Sequence, residues 1–362
     1  MNASSPRSLI SPTSNPVLEG ALRDKLGRRG EVTGSLGELE PLAIRLGLMQ
    51  GTLKPKFTQP QMLVFAADHG LAVDGIEPSF RRPTHEQVQQ LLAGRLPISV
   101  FARQQQLALT VVDAGVALDL PLHDGLLVRK IAHGTRNARV SPAMSLEQAH
   151  AAIRAGMEIG DTLQGNLIAC AGLGVGAHES AALVLARLTD TAVRDLLVAG
   201  PRMNADTLAH LMVIVQGAQG RHRGLTDPVE VLAAFGGFEI AMMVGVMLVA
   251  ASKRMLLMVD GMPAYAALMV ASRIATPVTD YCVFCRSRSH LGLDRALGLF
   301  RASALLELAL DSTDGTGATL AWPLVRSAAA LLSDVADGDD AGPSQPGAVE
   351  PITTPAASGD RA

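Results

Sequence analysis

Residues 62–70 read MLVFAADHG, an apolar run that stops on Asp68, His69 and Gly70. The pattern returns at 107–116, LALTVVDAGV, which closes on Asp113, and at 254–262, RMLLMVDGM, which closes on Asp260. Runs this short, continuous rather than alternating, predict strands buried on both faces. Helical patterns lie between them: THEQVQQLLAG, LEQAHAAIRAGMEIGDTLQG, ESAALVLARL and DTLAHLMVIVQGA. Strands alternating with helices predict an α/β fold with right-handed crossovers, a mostly parallel sheet and helices on both faces. Ligands of such sheets bind beyond the carboxyl ends of the strands, where Asp68, His69, Asp113 and Asp260 are placed by this reading.

Composition limits the partners. With 362 residues, 48% hydrophobic, and a mean hydropathy of +0.26, the chain can bury a large core in one big domain or two modest ones. Aromatic residues are only 3%, too few for a nucleic-acid stacking platform. Net charge is -3, and no long run of Lys or Arg suggests a polyanion or an anionic membrane. A small-molecule ligand fits better. The stretch FEIAMMVGVMLVAASKRMLLMVDGM (238–262) is the most hydrophobic, but Lys253 and Arg254 interrupt it short of the ~20 apolar residues a span needs, so it predicts a buried helix followed by a buried strand. Cys170, Cys282 and Cys285 cannot build a disulfide framework, and MNASSPRSLISPTSNP lacks the apolar centre of a secretory signal, which favours the cytoplasm. Residues 1–16, rich in Ser, Pro and Asn, and 337–362 carry no periodic pattern and are expected to be disordered.

Several glycine-bearing stretches are candidate sites. GLGVGAHES (172–180) sets Gly172, Gly174 and Gly176 before a helix, so free amides and a helix N-terminus would face an anion; a tight strand-to-helix turn is the alternative. In KIAHGTRNARVSPAMS (130–145), Arg136 could clamp a phosphate or carboxylate ahead of a helix starting at Ser145, or belong to an ordered surface loop. CVFC (282–285) has the spacing of a metal or redox pair but no second pair, and reads as two strand cysteines on a buried face. In FGGFEIAMM (235–243), Glu239 opens an apolar helix and favours its dipole. DSTDGTGATL (311–320) places Asp314 directly before Gly315, Thr316 and Gly317 at a helix start. No cofactor or metal is implied by any of these.

Taken in order, AADHGLAVDGI, ISVFARQQQLALTVVDAGV, KIAHGTRNARVSPAMSLEQAHAAIRAGMEI, AAFGGFEIAMMVGVMLVAASKRMLLMVDGM and DSTDGTGATLAWPLVRSAAALL resemble the nicotinate-nucleotide:dimethylbenzimidazole phosphoribosyltransferases of cobalamin lower-ligand synthesis, over roughly residues 60 to 335. The resemblance implies a Rossmann-like large domain (61–299), a small helical domain built from 17–60 and 300–336, and a homodimer. It also implies the reaction: nicotinate leaves the ribose of nicotinate mononucleotide and a benzimidazole nitrogen replaces it, giving α-ribazole 5'-phosphate. The family's proposed base is a Glu directly before Gly-Thr-Gly; here that position is Asp314, one methylene and about 1.5 Å shorter. By the same resemblance Asp68, His69, Glu77, Asp113, Arg136, Gly174, Gly176, His178, Asp260, Gly315, Thr316 and Gly317 would contact substrate.

The chain departs from the family pattern at polar positions. The Gly-Glu-Met-Gly-Ile-Gly-Asn-Thr-Thr run becomes AGLGVGAHE, with Gly172 for Glu, Ala177 for Asn, and His178 and Glu179 for the two Thr. GPRMNAD (200–206) replaces a Gly-Thr-Gly segment, Leu211 stands for a Lys, Glu77 for a Ser, and Ser287, Leu291 and Asp294 for His, Glu and His. Two readings stay open: a divergent phosphoribosyltransferase, and a non-catalytic relative that binds a small ligand or a partner subunit.

Overall fold

The computed structural model describes residues 9–76, 82–197, 203–286, 291–308, 310 and 314–335. Among them, seven strands form one sheet: β1 (Gln61–Ala67), β2 (Ala108–Gly115), β3 (Leu126–Val128), β4 (Leu167–Leu173), β5 (Leu256–Val259), β6 (Cys282–Arg286) and β7 (Ala304–Leu306). The order is β3-β2-β1-β4-β5-β6-β7, and each neighbouring pair is parallel. The three runs that end on Asp68, Asp113 and Asp260 are β1, β2 and β5, the expected α/β architecture. From β1 the chain moves outward through β2 to β3, then returns to the other side of β1 at β4 and moves outward again. That reversal opens a crevice past the carboxyl ends of β1 and β4, where ligands of open α/β sheets sit. The register steps there as well: Ala66 faces Asp113 but Ala67 faces Gly115, a bulge whose extra residue, Ala114, lies in β2.

The helices are α1 (Pro16–Thr33), α2 (Leu39–Gln50), α3 (Thr84–Leu92), α4 (Pro97–Gln104), α5 (Leu146–Thr162), α6 (Ala177–Thr189), α7 (Val193–Leu197), α8 (Ala205–Arg221), α9 (Pro228–Phe235), α10 (Phe238–Ser252), α11 (Met262–Ile274), α12 (Leu291–Leu299) and α13 (Thr316–Ser333). Gly315, at the start of α13, lies against Met62, Ile98 and Ala171, so α13 covers one face of the sheet. Gly172 lies against Pro263 and Met243, and Gly115 against Phe238, which puts α10 and α11 on the other face. The long apolar stretch is therefore α10 followed by β5, as its sequence predicts. It is apolar all round because it lies between the sheet and α5: at Gly156 of α5 any Cβ would stand 2.0 Å from the Met242 carbonyl oxygen. Lys253 closes the helix by donating to the Gly160 and Asp161 carbonyls at 2.9 and 2.8 Å. No helix among the described residues is long and apolar enough to cross a membrane.

Helices α1 and α2 pack on α13 at the far side of that layer. Two boundaries expected from sequence move. Residues 304–306 pair with β6 as the edge strand β7, so the sheet continues past residue 300. Residues 9–15, expected to be disordered, lie on the body: Ile10 is buried, the Thr13 amide donates to Asp280 Oδ2 at 3.0 Å, and Tyr281 donates its hydroxyl to the Ser11 carbonyl at 2.8 Å. One apolar anchor and two satisfied polar groups suffice to hold so short a segment. Residues 1–8 and 336–362 lie outside the described residues. Cys282 and Cys285 are both buried on β6, but three positions apart in a strand they occupy opposite faces rather than one.

Candidate functional site

The crevice wall is built first from the end of β1. Asp68 is half-buried, with Oδ1 accepting from Thr84 Oγ1 at 2.5 Å and Oδ2 from the Ala117 amide at 2.7 Å. The same Thr84 oxygen accepts from the Val175 amide at 3.0 Å, while the Val175 carbonyl accepts from the His69 amide at 3.3 Å. Val175 is thus latched on both sides to the β1 end. The turn that carries it needs its glycines: a Cβ on Gly174 would lie 1.8 Å from the Ala67 carbonyl oxygen, and Gly176 has φ 88° with its backbone against the His69 side chain. Helix α6 starts at the next residue, so its N-terminus follows directly on this turn.

Behind this turn lies a buried polar array. His69 Nε2 is 2.9 Å from Glu239 Oε1, and His69 Nδ1 is 2.8 Å from Ser180 Oγ. The exposures are 3% for His69, 0% for Glu239 and 1% for Ser180. Burial alone would push the His69 pKa down, but Glu239, Asp68 and Glu179 outweigh it and the pKa is raised. Glu239, expected from sequence only to favour its helix dipole, is the ion partner of His69. Ser180 and Thr84 were also missed as site-building residues. A signal for Glu239 existed, since one carboxylate in an otherwise apolar helix must find a partner when that helix is buried.

The opposite wall is the junction of β5 with α13. Asp260 Oδ2 accepts from the Gly317 amide at 2.8 Å and the Ala318 amide at 3.3 Å, so the carboxylate at the end of β5 caps a helix from the other layer. Next to it Gly261, at φ 95°, has no side chain where the Asp314 carboxyl sits: a Cβ there would stand 2.2 Å from Asp314 Cγ. Asp314 is half-buried, while Gly315, Thr316 and Gly317 behind it are buried. With strands about 4.8 Å apart, the ends of β1 and β5, separated by β4, lie about 10 Å from one another, the span of a small ligand.

Three of the residues expected to contact substrate are enclosed. Asp113, Asp260 and His69 turn inward, at 1%, 0% and 3% exposure. Asp113 Oδ1 accepts from the Val116 amide at 2.9 Å and Oδ2 lies 3.5 Å from Lys130 Nζ; burial raises its pKa against both of these. Each sits where a strand end must satisfy amides or a buried charge, which consumes the carboxylate or ring. Glu179 is also buried, and adds to the field on His69. Arg136 is exposed at the same end of the sheet, with Nε donating to the Pro142 carbonyl at 3.0 Å. Ser145 caps α5 in a capping box with Gln148, as that stretch predicts. His178 is half-buried in the first turn of α6. Glu77 and Ser287 lie outside the described residues. No group of three or more His, Cys, Asp and Glu side chains among the described residues is arranged to hold a metal ion.

Residues 11–342 match the family model described as Phosphoribosyltransferase. The chain belongs to that family. Within it, the chain is 44% identical to the nicotinate-nucleotide--dimethylbenzimidazole phosphoribosyltransferase of Cupriavidus taiwanensis over 330 residues, covering 90% of this chain and 94% of the relative. The enzyme of the same name from Cupriavidus necator is 43% identical over 330 residues, with the same coverage of 90% and 94%. Among solved structures, nicotinate-nucleotide-dimethylbenzimidazole phosphoribosyltransferase from Thermus thermophilus matches with a TM-score of 0.83 at 32% identity, covering 92% of this chain and 100% of the other. The Thermus thermophilus structure thus shares the α/β fold over 92% of this chain.

Proposed function

We infer that the chain moves the phosphoribosyl group of nicotinate mononucleotide onto 5,6-dimethylbenzimidazole, giving α-ribazole 5'-phosphate for cobalamin lower-ligand synthesis. The observation that carries this reading is the pairing, across one sheet edge, of a half-buried carboxylate, Asp314, with a glycine turn that opens onto a helix N-terminus. One azole nitrogen attacks the anomeric carbon of the ribose. The carbon–nitrogen bond to nicotinate breaks, and its electron pair neutralises the pyridinium ring. The proton on the other azole nitrogen passes to Asp314. A pyridinium leaves readily, so positioning and a single base suffice. The 174–178 turn and the first amides of α6 receive the phosphate; Asp68 and Arg136 line the same end of the sheet. Asp260 holds Asp314 in place by capping α13. The protein works without a cofactor in this scheme, as a cytoplasmic homodimer with small-molecule substrates, and without nucleic acid or membrane.

Purified protein with nicotinate mononucleotide and dimethylbenzimidazole should release nicotinate. Asp314→Ala should lower kcat by about 10²–10⁴-fold, the usual worth of a general base, and Asp314→Glu should stay within about tenfold of the parent. The changed 172–179 loop favours a second reading, a relative that binds ligand without turnover. Calorimetric binding of nicotinate mononucleotide with no nicotinate release would select it.

A further inference from the structure

Glu239, His69 and Ser180, from three different elements, are side chains that the transfer scheme leaves unused. Glu239 is the second residue of α10, His69 follows β1, and Ser180 is in the first turn of α6. Enclosing a carboxylate completely is expensive, and the start of α10 repays only part of that cost. Glu239 Oε2, moreover, is buried with no hydrogen-bond partner among the described residues. An apolar pair of the same volume would pack at less cost. The location of the array is therefore informative. His69 is the chain neighbour of Asp68, its amide holds the Val175 carbonyl, and its side chain is the surface on which Gly176 rests. The imidazole ring also touches the Gly237 backbone region, beside the glycine pair that opens α10. One ring thus joins the end of β1, the β4–α6 turn and the start of α10, directly behind the crevice.

We propose that Glu239, His69 and Ser180 are positioning residues for phosphoribosyl transfer: the carboxylate fixes the imidazole, and the imidazole fixes the Gly174–Gly176 turn that receives the phosphate. This rests on the transfer reading given above. Neither Glu239 nor His69 touches substrate. In the doubly protonated ring, Nε2–H donates to Glu239 and Nδ1–H donates to Ser180 Oγ; after loss of a proton, the Ser180 hydroxyl must turn and donate to Nδ1 instead. The charged groups that face the ring are Glu239 from α10, Asp68 from the end of β1 and Glu179 from α6, all acidic. They favour the cationic ring. The charged form is present at low pH and is lost as pH rises through the raised pKa, so turn geometry and substrate affinity should fall with it.

The test uses the full chain with Glu239→Gln and Ser180→Ala. Three readouts are needed: kcat and KM for nicotinate mononucleotide, the pH profile of kcat/KM, and amide exchange across residues 167–180 by mass spectrometry. Glu239→Gln should raise KM about tenfold while kcat changes less than about threefold, the scale of one charge-assisted hydrogen bond, and should speed exchange at 174–177 by a similar factor. Its high-pH limb should move to lower pH. Ser180→Ala should raise KM about threefold. Folded Glu239→Gln with parental KM, limb and exchange overturns the proposal. Should that variant not accumulate as folded protein, Ser180→Ala decides: parental KM and exchange at 174–177 overturn it. An inactive parent whose 174–177 exchange still quickens in Glu239→Gln removes the transfer reading and keeps the positioning array. An active parent with both variants unchanged does the opposite.

Discussion

On the β1–β4 side of the crevice, Glu239 is fully enclosed and answered by His69, whereas on the β5–α13 side Asp314 stays half-buried over a glycine, with Asp260 beneath it committed to the amides of Gly317 and Ala318. Both sides stack two acidic residues. On each, the inner one holds backbone or ring in place and the outer one, Asp68 or Asp314, remains at the boundary with solvent. Depth sorts the carboxylates: full burial demands a fixed partner and leaves nothing for a substrate, while half-burial leaves an oxygen able to exchange protons.

The sharpest way to break the β1–β4 side is Gly174→Val. With a Cβ 1.8 Å from the Ala67 carbonyl oxygen, the turn cannot close, and no folded protein should be recovered in the soluble fraction. Next is His69→Ala, which strands the Glu239 charge and should cost about 3–5 kcal/mol in urea unfolding. The pH dependence of the parent sharpens this. Because the folded His69 pKa is raised, the folded state binds the extra proton, and that stabilisation is complete below the unfolded value of 6.5 and lost as pH rises through the folded one. Stability of the parent should therefore decline above about pH 6.5, and His69→Ala should flatten the decline.

On the β5–α13 side, Asp260→Asn retains shape but removes charge at the start of α13. It should cost about 1–2 kcal/mol, by analogy with a lost helix cap, and lower kcat about tenfold to a hundredfold as the seat of Asp314 shifts, read by nicotinate release. The smallest effect lies away from both sides. Arg23→Ala removes the 2.6 Å contact with Glu19 within α1, where the side chains are 63% and 39% exposed, and should change unfolding by less than about 0.5 kcal/mol. A larger loss there would mean that the grading by depth fails.

The apolar runs closing on Asp68, Asp113 and Asp260 were readable as strands because continuous hydrophobicity is a local property. The turn at Gly174–Gly176 and the start of α13 after Gly315 were readable for the same reason: glycine before a helical pattern is local punctuation. What the carboxylates do is not local. Asp260 and Asp314 are read as neighbours only when β5 and α13 meet, and Glu239 finds His69 across 170 positions. Equal Asp-at-strand-end signals hid two fates, with Asp68 left at the edge while Asp113 and Asp260 turned inward. Three half-buried residues, Ala304–Leu306, carried too little pattern to announce β7.

Cys170, Cys282 and Cys285 are all buried, and none is in a disulfide. Burial raises the Cys170 thiol to about 12 and pushes Cys282 up as well, so neither holds appreciable thiolate near neutrality. The central sheet therefore carries its own chemical clock. An alkylating reagent such as iodoacetamide can modify these sulfurs only during excursions that lift the covering layers off strands β4 and β6, so its rate separates a variant that merely loosens a loop from one that lets the whole layer come undone.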